Sequence, residues 1–216
     1  MGLIFEYLAI LTASICLVYA VDKPCCFSKR FIANMTIVTA TIRTSSSDPT
    51  FTENRLHVDY DKDRRRERTY GYIIEGAGLN QTKIKYNVWN DYTSGKRYGY
   101  TNNAPTCSVS PLDRDQFDHC VPDTLRLVAT YIIGSENGAV RVNSWEGTSD
   151  NFQYTYVTSV DNCTPISFIR YGETADGTRL MENTLFSDVT QYKVSSDDAL
   201  DIPQACLTAD VANVGK

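Results

Sequence analysis

The chain has 216 residues, with 21 Lys and Arg against 26 Asp and Glu and a formal net charge of −5. Mild acidity argues against a nucleic-acid partner, and the length suits one domain with a sizeable core of its own. Fourteen Tyr, together with many Thr and Val, favour strands over helices.

Residues 1–20 are almost entirely apolar and end in Val18-Tyr19-Ala20, which reads as a secretory signal peptide cleaved after Ala20, with Glu6 where Lys or Arg is usual. The apolar run is interrupted and shorter than the ~20 residues a bilayer span needs. Cleavage leaves residues 21–216 as a single domain of net charge −4, because Glu6 departs. That domain holds Cys25, Cys26, Cys107, Cys120, Cys163 and Cys206. An even count in an exported chain implies a disulfide framework whose connectivity the count leaves open. The compartment is the extracellular space, with the lysosomal lumen as alternative. Asn34, Asn80 and Asn162 each head an Asn-x-Thr triplet and are candidate N-glycan acceptors.

Alternation with period two dominates the remainder of the chain. Leu56, Val58 and Tyr60 face one way, with Arg55, His57 and Asp59 opposite. Tyr70, Tyr72 and Ile74 repeat the pattern, as do Ile84, Tyr86 and Val88 against Lys83, Lys85 and Asn87. The segment 76–81 joins these two runs as an antiparallel pair. Residues 125–133 are apolar on both faces and predict a central strand. A turn at 134–138 leads to strands at 139–145, 152–159, 164–171 and 178–186. Helix signals are few, with a short turn expected at 195–200. The fold class is mainly β: one antiparallel sheet domain of roughly ten strands, which must curl, close or split into two layers.

Catalytic signals are weak. His57 lies on the polar side of its strand beside Asp59, and His119 adjoins Cys120, so a solvated residue and a loop residue are the better readings. No metalloprotease, nucleophile-elbow or phosphate-loop motif occurs, and the chain is expected not to be an enzyme. Asp59, Asp61 and Asp63 alternate as calcium-loop ligands do, but Arg64 stands where the loop glycine belongs, which excludes an EF-hand. Asp197, Asp198 and Asp201 form a second acidic cluster, read as a surface turn. The basic run 64–68 is either a binding patch for anionic glycans or headgroups or a charged hairpin edge that resists strand pairing. The apolar positions Tyr70, Tyr72, Ile74, Ile84, Tyr86, Val88, Leu125, Leu127 and Tyr131 either fill an ordinary core or line a pocket. Trp145 is expected to brace the fold.

The segment Val142-Asn-Ser-Trp-Glu-Gly147, followed by Cys163-Thr-Pro-Ile166, resembles the ependymin-related family. Pro24-Cys25, Tyr60-Asp61, Cys107 with Pro111-Leu112, Val121-Pro122, Gly134-Ser135 and the closing Pro203 to Cys206 agree in order. The resemblance implies a secreted glycoprotein with a strongly bent antiparallel half-barrel like that of bacterial lipoprotein carriers. It also implies a deep hydrophobic pocket, a homodimer and bound calcium, with no other cofactor required. It further implies a Cys107–Cys206 bond, a bond from Cys25 or Cys26 to Cys163, and a bond from the remaining doublet cysteine to Cys120. The doublet and Cys120 depart from the family pattern, as does the loose acidic segment at Asp197-Asp198. With this likeness, the aromatic stripes are expected to line a cavity for a fatty-acyl or lipid-like ligand. The alternative is a cell–matrix adhesion or signalling glycoprotein that works through its surface, with extracellular matrix or cell-surface glycans as partners.

Overall fold

The computed structural model describes residues 23–43, 48–76, 81–101, 106–112, 114–196 and 198–213. The signal segment, Asn80 and Asp197 lie outside the described residues. Eleven strands form one antiparallel sheet: β1 (Arg30–Ile42), β2 (Thr50–Asp61), β3 (Arg66–Glu75), β4 (Thr82–Asp91), β5 (Lys96–Thr101), β6 (Ser108–Pro111), β7 (Arg126–Ile133), β8 (Val140–Ser149), β9 (Phe152–Ser159), β10 (Pro165–Glu173) and β11 (Arg179–Gln191). Their order is β6-β5-β4-β3-β2-β1-β11-β10-β9-β8-β7, so the chain runs outward from the centre on one side and returns through β11 on the other. A single helix among the described residues, α1 (Gln204–Asn213), follows Pro203, whose carbonyl accepts from the Cys206 and Leu207 amides. No helix among the described residues is long and apolar enough to cross a membrane.

The meander follows from tight turns. Asp61 Oδ1 accepts the amides of Asp63 and Arg64, each at 3.0 Å, and Asp91 Oδ1 accepts those of Thr93 and Ser94 at 2.9 and 3.2 Å. Each carboxylate thus organises the four residues after its strand, as Asx turns do. Arg65 at φ 51° and Gly95 at φ 64° close the two hairpins in the left-handed region.

Alternation sorts the side chains. The inner face carries Phe31, Ala33, Val58 and Tyr60 from β1 and β2, and Trp145 from β8. These share one core cluster although β2 and β8 stand five places apart in the sheet, which requires the sheet to curl around that face. The sheet does not close, because β6 and β7 remain its two edges. Trp145 is buried and donates from Nε1 to Thr158 Oγ1 at 3.2 Å, so it braces the core. A smaller cluster of Trp89, Tyr98, Cys107 and Cys206 sits on the outer face, where Trp89 Nε1 donates to the Ala199 carbonyl.

Disulfides join Cys25 to Cys163, Cys26 to Cys120, and Cys107 to Cys206, across 138, 94 and 99 residues. Within the doublet, the alternation of a short extended segment sends Cys25 inward to the core and leaves Cys26 for the loop that carries Cys120. The Phe27 amide donates to the His119 carbonyl and the Val121 amide to the Cys25 carbonyl, so this N-terminal segment straps the 114–125 loop over the inner face.

The strand order corrects one expectation. Residues 125–133 are not central, because β7 is an edge strand. The apolar residues of this stretch divide among the core (Leu125, Leu127), a bulge between Leu127 and Ala129, and open surface, where Ile132 is 67% exposed. The centre is β1, whose Asn34, Thr36, Thr39 and Thr41 dilute its apolar signal.

Gly71 on β3 has φ +149°, and a Cβ there would lie 2.1 Å from the Arg55 carbonyl oxygen. Gly71→Ala is expected to cost at least ~2 kcal/mol and to lower Tm by ~4–8 °C in a domain of this size, measured by calorimetry.

Candidate functional site: an inner cavity and an outer groove

Two concavities flank the central strands, one on each face. The inner cavity, of about 350 Å³, spans β3-β2-β1-β11-β10-β9. Its apolar wall comes from Phe31, Met35, Ile37, Val58, Phe168 and Phe186, and the 114–117 segment roofs it. Tyr60 OH donates to the Phe117 carbonyl at 2.6 Å and Gln116 Nε2 to the Asp61 carbonyl at 3.1 Å, which hold that roof in place.

Two ion pairs lie in this otherwise apolar wall. Glu67 is buried, and its Oε1 accepts from Thr69 Oγ1, Asn90 Nδ2 and Arg114 Nη2 at 3.2, 3.1 and 3.0 Å, while Oε2 accepts from Tyr92 OH at 3.1 Å. Burial, and then the Glu67 charge, push the Tyr60 and Tyr92 hydroxyls well above the usual phenol range, so both remain donors. Burial pushes Tyr156 up to about 12. Across the cavity Arg170 Nη2 donates to Glu182 Oε2 at 3.2 Å. Arg170 Nε is buried without a hydrogen-bond partner among the described residues, a donor left open to a ligand acceptor.

The outer groove, of about 600 Å³, runs across β1 to β4 between two rows of side chains. One row is Asn34, His57, Tyr70 and Asn87; the other is Thr36, Arg55, Tyr72 and Lys85. The row between them points inward and offers its backbone as the floor, including Gly71. Asn34 Oδ1 meets His57 Nδ1 at 2.8 Å, which places the proton on Nδ1 and leaves Nε2 to accept from Ser195 Oγ at 3.2 Å. A bulge opposite Ile32 and Asn34 puts Asp188 at φ 51°, and its Oδ2 accepts from Asn34 Nδ2 at 2.7 Å. Ser195, His57 and Asn34 stand in the sequence of a hydrolase triad. The Ser195 amide, which would serve an oxyanion, instead donates to Asp59 Oδ1 at 2.7 Å.

The structure divides the residues expected in one pocket. Tyr70, Tyr72 and Ile74 lie on the outer face, whereas Ile84, Tyr86 and Val88 alternate to the inner one. The reason is register: Tyr72 pairs with Lys85 and Gly71 with Tyr86, so the aromatic positions of adjacent strands are out of phase. Leu125 and Leu127 belong to the inner core, and Tyr131 is an exposed outer residue of β7. The cavity walls that sequence reasoning missed come from β1, β10 and β11. The alternation of Phe31, Ala33, Met35 and Ile37 was the available signal.

The acidic and basic runs are engaged locally. Asp61 caps its turn and pairs with Arg30, Asp63 pairs with Lys29, and Asp59 holds Ser195, so the three carboxylates do not converge. Asp201 meets Arg64 and Arg66, and Asp198 accepts from Ser196. Arg65 donates to the Tyr92 carbonyl, and Arg68 lies over the Tyr70 and Trp89 rings. Among the described residues the one grouping of metal-ligand type is Cys26, His119 and Cys120, and its thiols are joined to each other. Among the described residues neither acidic cluster brings three carboxylates together. Asn162 is exposed in the turn after β9, with its Oδ1 accepting from Ser159 and Thr164.

Glu67→Ala removes four hydrogen bonds and the charge facing Arg114, and is expected to cost ~3 kcal/mol. Arg114→Ala should cost under ~1 kcal/mol, because the Arg114 side chain is 62% exposed. Urea titration of the two variants checks the asymmetry.

A DUF1329 family protein from Desulfovibrio piger aligns with 83% of this chain and 92% of its own at 11% identity and a TM-score of 0.34. A LolA superfamily protein from Nitrosomonas europaea aligns with 78% and 89% at 9% identity and a TM-score of 0.33. Scores this low carry no argument about ligand or activity. No curated protein matches the chain. A family model described as Ependymin matches residues 80–206, more than half of the sequence and including both Trp145 and the Cys107–Cys206 bond. The chain belongs to the ependymin family.

Proposed function

We propose that this is a secreted, non-enzymatic glycoprotein that carries a lipid-like molecule with a fatty-acyl portion in the inner cavity. The observation that supports the reading is a cavity of about 350 Å³ with an aromatic and aliphatic wall and a buried, unpartnered donor, Arg170 Nε. That volume lies in the usual range for small-molecule pockets. Burying ~16 methylenes gives roughly 12 kcal/mol gross. Immobilisation offsets about 4 kcal/mol or more, which leaves room for micromolar affinity. Arg170 Nε would meet a head-group oxygen, while Glu182 keeps the guanidinium oriented.

Lipid extraction and mass spectrometry of protein secreted from eukaryotic cells should give stoichiometric acyl lipid that is lost on unfolding. Ile37→Trp fills the cavity from β1 and is expected to weaken uptake of a fluorescent fatty acid by more than about tenfold, with secretion retained. A protein that emerges empty and ignores the probe would overturn the carrier reading.

The surface reading keeps one favourable observation, an apolar row on the outer face. Phe51, Ala40, Met181 and Tyr171 are cross-strand neighbours on β2, β1, β11 and β10, and Phe51, Met181 and Tyr171 are 49, 52 and 47% exposed. A second copy of the chain would cover this row in an isologous contact. A homodimer formed through this row should fall to monomer on Met181→Arg in analytical ultracentrifugation. The basic run 64–68 supports a matrix-glycan contact less well, since Arg64, Arg65, Arg66 and Arg68 each have partners within the fold.

A further inference from the structure

The outer groove begins at an acceptor triplet. Asn34 and Thr36, the first and third residues of Asn34-Met35-Thr36, head the two rows that form its walls, and Met35 between them turns inward. A polar channel that leads away from such an asparagine has an obvious tenant. We propose that Asn34 carries an N-glycan, and that the first sugars of this glycan lie along the groove across β2 and β3, against Tyr70 and Tyr72.

The chemistry of the lining suits a sugar. Asn34 engages its carbonyl oxygen with His57 and one amide hydrogen with Asp188, which leaves the other hydrogen as the one a glycosyl bond replaces. Glycosylation leaves Oδ1 and one Nδ2 hydrogen in place, so His57 and Asp188 still face an acceptor and a donor that can hold the amide plane from which the chain departs. His57 stands one strand away and Tyr70 two strands away, or about 10 Å at the usual strand spacing, within reach of the second sugar. Aromatic rings offer electron-rich faces to the positively polarised C–H groups of a pyranose, and Arg55, Lys85 and Asn87 offer donors to its hydroxyls. Tyr72 is 41% exposed, and because Lys83 Nζ lies 3.8 Å from its ring centroid over one face, the opposite face is the one a sugar would meet. The floor stays low because Gly71 lies under the path and neighbouring floor residues point inward. Asn162, by contrast, projects from an exposed turn and lines neither concavity.

A glycan held this way shelters its own linkage to the protein. The full chain, secreted from eukaryotic cells, would be treated with peptide-N-glycosidase F under native and denaturing conditions, with each glycopeptide followed by mass spectrometry. The expected result is occupancy at Asn34, with native release about tenfold slower than at Asn162 and equal rates after denaturation. That factor corresponds to about 1.4 kcal/mol of contact that must open first. Tyr72→Ala should bring native release at Asn34 to the Asn162 rate while secretion and the melting temperature hold. An unmodified Asn34 peptide would overturn the proposal. So would an occupied Asn34 whose glycan leaves as fast as that of Asn162 in the native wild-type protein, a comparison that needs no variant.

Discussion

Phe31 on β1 stacks on Tyr60 of β2 with ring centroids 4.9 Å apart, and Phe27 meets Phe31 edge-on at 5.0 Å. Trp145, from the far half of the sheet, joins the same cluster. An eleven-stranded sheet with aromatic residues on one face has no second sheet and no long helix among the described residues to cover them. It therefore covers them with itself, by curling, and with the 114–125 loop. Aromatic contacts of this kind contribute ~0.5–1.5 kcal/mol each beyond their buried area. The curl they enforce also determines where the cavity and the two free edges lie.

Curling is incomplete, and that incompleteness provides the space. The cavity survives where the inner face changes from close-packed Trp145 and Val58 to the charged pairs Arg114–Glu67 and Arg170–Glu182. Buried Glu67 resists collapse because its charge must stay among Thr69, Asn90, Tyr92 and Arg114, which all donate to it. The aromatic walls thus give affinity for apolar matter, and the pairs keep the walls apart. The disulfides act on the coverings: Cys26–Cys120 and Cys25–Cys163 tie the N-terminal strap to the loop and the core, and Cys107–Cys206 ties α1 to the start of β6.

The two faces of β1, β2 and β3, which both concavities share, are differentiated by one-residue alternation. Inward, β1 and β2 present Phe31, Met35 and Val58; outward, they present Asn34, Arg55 and His57. The two concavities share a backbone and little else, so an occupant of one need not compete with an occupant of the other. The outer face is itself divided. The polar groove lies toward one end of β1, and the apolar row of Phe51, Ala40, Met181 and Tyr171 lies toward the other.

Local rules suffice for the strand-rich class, the antiparallel pairs joined by 76–81 and 134–138, and the bracing Trp145, all legible in the order of residues, and the Asp-capped turns at 62–65 and 92–95 obey such rules as well. Side chains alternate with period two, and an Asp at a strand end caps its own turn. The family likeness narrowed the cysteine pairing, but the geometry of the strap chose Cys25 for Cys163. Which alternating sets share a face is a different matter, settled in three dimensions, because the phase of one strand against the next is fixed by register. Hence Tyr70 and Tyr72 fall on the groove side and Tyr86 and Val88 on the other, although the period of each strand is plain from its own residues. The centre of the sheet is likewise invisible to local pattern. A strand whose outer face bears Asn34 and Thr36 reads as marginal, yet pairing with β2 on one side and β11 on the other makes it the middle of the fold.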